Sequence, residues 1–249
     1  MSDDLESALD LAAAALQRAN RVCVLTGAGV SAESGVPTFR ASDGLWEGHR
    51  IEDVATPTGF QRDPGLVWKF YNARRANVKT VLPNPGHHAL VQMEQRWGKR
   101  FALVTQNVDG LHRVAGTKNL LEIHGSLYRT RCTKCREVVD RGLEVLAALP
   151  MCHCGAMLRP DIVWFHEALP DDIWEAAQAA ASECDVLLVV GTSAVVHPAA
   201  SLIPIAKKSN DPGAVVIEIN LTRTEASEHA DIGLYGSSGQ VLPRLVERL

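Results

Sequence analysis

The sequence predicts an α/β fold, a doubly wound parallel sheet carrying a smaller metal-binding module. Three observations lead there. Four short apolar runs, Val22–Thr26, Phe101–Thr105, Val186–Val190 and Val215–Ile219, are rich in β-branched residues and show no polar alternation. Such runs suit strands covered on both faces, as parallel sheets require. Helical patterns fall between them, which gives the alternation of a wound sheet. Finally, four of the six cysteines lie within residues 132–154.

Taken in chain order, Leu5, Leu9, Ala12, Ala13 and Leu16 recur at helical spacing, so residues 4–19 read as an amphipathic helix. The first strand, 22–26, is broken by Gly27. Helices are expected over 65–78 and 86–97, then the strand at 101–105. Beyond the cysteines come a helix at 171–182, the strand at 186–190, a helix at 198–208, the strand at 215–219 and a last helix at 239–248. A chain of 249 residues holds one large domain, or one plus a small module.

Composition narrows the function classes. Hydrophobic residues make up 46% and charged residues 22%, as in ordinary globular proteins, and the net charge is -4. A weakly acidic chain without a basic run is a poor nucleic-acid binder. The apolar runs are too short to cross a bilayer, so no membrane association is expected. Met1-Ser2-Asp3-Asp4 lacks the basic start of a targeting peptide, which makes a cytoplasmic location the expectation.

Each strand ends in small or polar residues: Gly27-Ala28-Gly29, Gln106-Asn107-Val108-Asp109, Gly191-Thr192-Ser193 and Asn220. Ligands of open α/β sheets bind outside these carboxyl ends, so four such ends together favour a nucleotide site over ordinary turn chemistry. Gly27-Ala28-Gly29-Val30-Ser31-Ala32 matches the dinucleotide turn, which aims backbone N–H groups at a pyrophosphate. A dehydrogenase would add an acidic residue on the second strand to hold the ribose. Asp43 and Glu47 stand at about that distance but sit in a loop with Gly44 and Gly48, so hydride transfer fits poorly.

Cys132-x-x-Cys135 followed by Cys152-x-Cys154 offers four thiolates on two short turns. A closed tetrahedral Zn²⁺ site of this kind is structural, because no coordination position stays open for substrate. His153 is a weaker candidate ligand, and four free thiols on a redox-sensitive loop are the alternative. His124, between Ile123 and Gly125, is either a satisfied core histidine or a base able to work near neutrality.

These motifs, together with Gly35-Val36-Pro37-Thr38-Phe39-Arg40, Thr105-Gln106-Asn107-Val108-Asp109 and His124-Gly125, strongly resemble the sirtuins, NAD-dependent protein lysine deacylases. The resemblance spans nearly the whole chain beyond its first twenty residues, in the family's order and spacing. It implies a Rossmann-like domain from residues 1–42, 84–127 and 169–249. A helical and cofactor-loop insertion at 43–83 and a zinc-binding module at 128–168 would form the small domain. Gly27, Ala28 and Gly29 would cradle the NAD pyrophosphate, and Thr38, Phe39 and Arg40 would belong to the loop closing over it. Asn107 and Asp109 would orient the nicotinamide ribose and carboxamide, with Gln106 beside them on the ribose. Gly191, Thr192, Ser193, Asn220 and, more loosely, Ser238 would line the adenosine half. Relatives often carry Cys at the Ser238 position.

The implied reaction does not carry hydride. The acyl oxygen of a modified lysine attacks the nicotinamide ribose, nicotinamide leaves, and His124 is general base for the ribose hydroxyl that follows, with Asn107 beside it. Products are free lysine and O-acyl-ADP-ribose. Tyr71 and Arg74 are three apart on one helix face, so an Arg fork and a Tyr hydroxyl can meet one carboxylate, while Arg75 points elsewhere. The plain alternative is a solvated basic face. This Tyr-x-x-Arg resembles class III sirtuins, which implies succinyl-, malonyl- or glutaryl-lysine ahead of acetyl-lysine. Val163-Trp164-Phe165-His166-Glu167 resembles the segment that pairs with the peptide as an added strand, with Val163 and Phe165 as contacts. Most relatives carry Gly where this chain has His166. Acyl-lysine proteins are thus the expected partners of a monomeric enzyme with one structural zinc. A mainly deacetylating enzyme, an ADP-ribosyltransferase, an NAD-sensing module without catalysis and a zinc-ribbon nucleic-acid binder are the rival readings.

Overall fold

The structure, a computed structural model, describes residues 2–37, 45–46, 48–208 and 212–249. Helix α1 (Ser2–Arg18) leads into β1 (Val22–Thr26) and the single turn α2 (Gly29–Ala32). The two-residue strands β2 (Leu45–Trp46) and β3 (His49–Arg50) then form a small ribbon, followed by α3 (Ile51–Val54), α4 (Pro57–Arg62), α5 (Pro64–Val78) and α6 (Pro85–Trp97). Next come β4 (Phe101–Thr105), α7 (Leu111–Ala115), β5 (Leu120–Glu122), β6 (Gly125–Cys132), β7 (Val138–Asp140) and β8 (Leu158–Ile162). The chain ends with α8 (Asp171–Glu183), β9 (Val186–Val190), α9 (Leu202–Lys208), β10 (Val215–Asn220), β11 (Ile232–Tyr235) and α10 (Ser238–Val246).

Six strands pair in parallel in the order β11-β10-β9-β1-β4-β5. Thr26 lies level with Thr105 on one side and Val190 on the other, so β1, β4 and β9 end together. After β1 the sheet grows first toward β4 and later toward β9. This reversal of winding opens a crevice at the shared strand ends.

The uninterrupted apolar runs are explained by burial on both faces. Val22, Val24 and Leu188 pack under α1, α6 and α10, while Cys23, Leu25 and Leu187 pack under α8 and α9. Each such side chain removed from water stabilises the fold by roughly 1.5–3 kcal/mol. Neither face can therefore tolerate polar alternation.

Helices α3 to α5 and the antiparallel sheet β7-β6-β8 share a separate core around Trp68, Tyr71, Leu127, Cys132, Cys152 and Trp164. Trp68 donates its indole N–H to the Leu158 carbonyl at 2.9 Å, stitching α5 to β8. An ion chain joins this sheet to the parallel one: Arg129 on β6 meets Glu122 of β5 at 2.9 Å and Asp161 of β8 at 3.0 Å.

Two local differences from the sequence pattern have physical causes. The helix expected over 198–208 is a 3₁₀ turn, Ala199–Ser201, before α9. Pro204 lacks an N–H and sits comfortably only in a first helical turn, so the α-helix starts at Leu202. The edge strands β5 and β11 were not expected, one because it is three residues long and the other because Gly233 interrupts its pattern. Among the described residues no helix is long and apolar enough to cross a membrane.

Candidate functional site

A cleft of about 430 Å³ opens over the carboxyl ends of β1, β4 and β9 and runs to β8 and α5. It is lined by Gly27, Ala28 and Gly29, by Gln106 to Asp109, by His124 and by Gly191, Thr192, Ser193 and Asn220. Tyr71, Arg74, Val163 and Phe165 line its other end. Of the other expected cofactor residues, one is described and lies outside this lining. Thr38, Phe39 and Arg40 lie outside the described residues. Ser238 starts α10 outside the lining, its hydroxyl 3.5 Å from the Glu33 carboxylate and its backbone against Gly86.

The glycines of the first turn answer to a neighbouring loop. A Cβ on Gly29 would lie 2.7 Å from the Gly191 Cα, and one on Gly27 would lie 2.7 Å from the Thr192 Cβ. Gly27 N–H donates to Val190 and Gly29 N–H to Gly191 at 2.7 Å. Two of the three donors expected to face a pyrophosphate therefore close the chain on itself. The glycines make the crevice narrow where β1 and β9 abut.

Behind the lining runs a buried polar network. Asn107 donates its amide to the Gly27 carbonyl at 3.1 Å and to Ser31 Oγ at 3.2 Å. Its own N–H donates to Thr105 Oγ1. Asp109 accepts from Leu111 N–H at 2.8 Å, and burial raises its carboxyl pKa against the pull of that bond, Ser31 and Arg74. The rings of His87 and His112 lie 4.8 Å apart between centroids, tilted at 51°, with His112 Nε2 3.0 Å from Thr26 Oγ1 and His87 Nε2 3.4 Å from Ser31 Oγ. Sequence reasoning missed both histidines. Their one signal is local: His87 is the third residue of a helix that Asn84 caps, and it returns a bond to the cap.

His124 occupies the joint between the parallel and antiparallel sheets. Its Nδ1 lies 3.1 Å from the Gln106 carbonyl. A carbonyl only accepts, so Nδ1 carries the proton and Nε2 keeps the lone pair of a base. Burial lowers the pKa of this ring, partly offset by the Gln106 bond, so the neutral form is favoured. The His124 carbonyl accepts from Val163 N–H at 3.0 Å, and Gly125 follows at φ +81, where a Cβ would strike the Asp161 carbonyl. Only glycine lets β6 leave this corner so close to β8.

Three histidines are held neutral by burial: His124, His112 and His87, the last with its pKa down at about 4. Unfolded, each titrates near ~6.5. Between the folded and unfolded values the unfolded chain binds more protons, so stability is complete above about 6.5 and falls below it. Each histidine contributes up to ~1.4 kcal/mol per pH unit. The melting temperature is expected to hold from pH 8 to 7 and to drop progressively from 6.5 to 5.5. A flat profile across that window would contradict burial of the neutral rings.

Tyr71 and Arg74 are both buried, the guanidinium carbon 5.9 Å from the Tyr71 ring centroid. Tyr71 Oη accepts from the Trp164 indole at 2.9 Å, and burial pushes its pKa up to about 12, so the phenol keeps a proton to donate. Arg75 turns away as expected. It donates to the carbonyls of Leu127, Gly142 and Glu144, locking α5 to the antiparallel sheet.

The four cysteines Cys132, Cys135, Cys152 and Cys154 converge, with all four Sγ atoms within 4.8 Å of one another. The Cys132–Cys154 and Cys135–Cys152 separations are 3.4 and 3.7 Å. A tetrahedron with Zn–S bonds of ~2.3 Å has edges of about 3.8 Å. None of the four is in a disulfide, and the N–H groups of Lys134 and Cys135 point at Cys132 Sγ, which suits thiolate ligands. The residues fit Zn²⁺.

Residues 27–198 match the Sir2 family. The chain is 49% identical over 236 residues to "NAD-dependent protein deacylase 2" of Pyrobaculum aerophilum, spanning 94% of this chain and 93% of that one. Among solved structures it is similar to a Sir2 homologue in complex with NAD, at TM-score 0.85 and 43% identity over 97% of this chain and 92% of the other. It is also similar to Sir2Af2 bound to a myristoylated histone peptide, at TM-score 0.77 and 34% identity over 98% and 96%.

Proposed function

This chain belongs to the Sir2 family, and we propose that it is an NAD-dependent protein-lysine deacylase with a preference for acidic acyl groups. The observation that carries the reading is His124. A neutral imidazole with Nδ1 tied to a backbone carbonyl lines one cleft with the family's nucleotide-binding motifs and with Tyr71 and Arg74.

NAD, when bound, supplies the ribose carbon that receives the acyl oxygen as nicotinamide departs. Gly27, Ala28 and Gly29 with Gly191, Thr192, Ser193 and Asn220 form its cradle. Gln106 steadies that cradle by donating to Thr192 Oγ1 at 3.0 Å, and Asn220 by donating to the Thr192 carbonyl at 2.8 Å. Asn107 and Asp109 present polar groups at the ribose end. Their fixed hydrogen bonds keep them in place without water, which is how a closed crevice lowers the reorganisation cost of reaction. Nε2 of His124 takes the ribose hydroxyl proton. Thr38, Phe39, Arg40 and Ser238 complete the assignment on resemblance.

Acyl-lysine enters from the α5–β8 side. The His166 N–H and the Val163 carbonyl have no hydrogen-bond partner among the described residues, which supports pairing of a peptide strand along Val163 and Phe165. Burial of Arg74 argues against the solvated-face alternative. A guanidinium at the end of the acyl channel welcomes a carboxylate and gains little from a methyl group.

Mass spectrometry of paired succinyl-lysine and acetyl-lysine peptides, with and without NAD, tests both levels. NAD-dependent loss of succinyl ahead of acetyl is the expected result. Loss of neither, with NAD still cleaved, would favour the ADP-ribosyltransferase. In Arg74→Met, desuccinylation is expected to fall about 10- to 100-fold, the worth of a charge-assisted bidentate contact, with deacetylation nearly unchanged. Equal losses would remove the acidic-pocket reading and leave the deacylase.

A further inference from the structure

Residues Trp164 to Glu167 form a tight turn, closed by Glu167 N–H donating to the Trp164 carbonyl at 3.1 Å. His166 sits at its third position with φ +70. That is the signature of a type II turn, whose third position belongs to glycine or asparagine. A histidine held there is strained, and strain of this kind persists where surroundings over-determine it and use is made of the side chain.

The surroundings do over-determine it. Phe165 N–H donates to the Ala55 carbonyl at 3.0 Å, and Trp164 N–H donates to Glu167 at 2.9 Å. Arg159 grips the Glu167 carboxylate at 2.6 and 2.8 Å and lies 3.5 Å over the Trp164 ring. Each neighbour is pinned, and of the turn's side chains His166 is the exposed polar one, in the lining of the cleft that also holds His124.

The carboxylates that line this cleft are already engaged. Asp109 is buried and bonded to Leu111 N–H, and both Glu167 oxygens are occupied by Arg159. His166, and His197 in the same lining, are the exposed ionisable groups there among the described residues, and they offer N–H donors. We propose that His166 is a specificity-determining residue that selects peptides carrying an acidic side chain close to the acyl-lysine. The proposal deepens the deacylase reading and rests on it for the identity of the ligand.

Fluorescein-labelled acyl-lysine peptides, with Glu or Lys at each of the two positions on either side, would be titrated by anisotropy without NAD. At one position or more, Glu is expected to bind about threefold more tightly than Lys, the size of an exposed charged contact, and the ratio should shrink with added salt. His166→Gly should bring the ratio to about one without lowering the melting temperature, since glycine is at ease at this φ. His166→Asn, which also tolerates the left-handed backbone, should do the same. An unchanged ratio in both variants, a wild-type preference for Lys throughout, or no binding of any peptide would overturn the proposal. Turnover with NAD is scored separately: binding selectivity without turnover would support the His166 contact while sinking the deacylase reading.

Discussion

His124→Ala is expected to lose about 10²- to 10⁴-fold in turnover, the range a positioned general base contributes. The substitution removes Nε2 from the cleft while leaving the β1, β4 and β9 ends intact, because among the described residues the ring bonds only a backbone carbonyl. NAD affinity, measured by calorimetry, should therefore change little. The acid limb of kcat/KM in the wild type should fall below the ordinary imidazole value of ~6.5, since burial lowers this pKa. Near-normal turnover in the variant would remove His124 from the reaction. An acid limb above 6.5 would mean that some other group is the base.

Removal of zinc is expected to unfold the antiparallel sheet and silence deacylation. Apparent binding free energies at such sites are ~10 kcal/mol or more, as large as the whole stability of many domains. Cys132 and Cys152 are also part of the core that holds Trp68, Tyr71 and Trp164, so loss of the metal should spread from the cysteines to the acyl pocket. Tryptophan fluorescence and near-ultraviolet circular dichroism should follow chelation together with activity. Much of the parallel sheet should keep its helical signal, because its two cores contain none of the four cysteines. Stripping one zinc per chain with no change in spectra or activity would refute the assignment.

Short unbroken apolar runs were legible from residues alone. Val22–Thr26, Phe101–Thr105 and Val186–Val190 emerge with the expected bounds because burial on both faces leaves an unbroken apolar run. The site was legible where chemistry is concentrated in short motifs: the cysteines converge, and so do the strand-end residues with His124. What stayed hidden depends on tertiary contact. Nothing local to Gly29 announces that Gly191 presses against it, and nothing local to Ser31, His87 and His112 announces a shared network. Tyr71 and Arg74 could have faced water, since their spacing fixes a common helix face but not what covers it. His166 was visible as an unusual residue. Its left-handed backbone was not.

Strand β6 begins at Gly125, beside the imidazole, and ends at Cys132, one of the thiols. At ~3.4 Å per residue its eight residues place these ends roughly 20–25 Å apart. A metal at the far end cannot polarise or activate anything near the lysine. The two ends should then age differently in evolution. At the near end an ångström of drift is felt as lost rate. At the far end, where Met151 beside Cys152 is already exposed, loops can lengthen or change partners for little free energy as long as the thiols still close. One strand thus joins the least negotiable corner of the molecule to its freest, and lineages of this chain are expected to diversify outward from the cysteines.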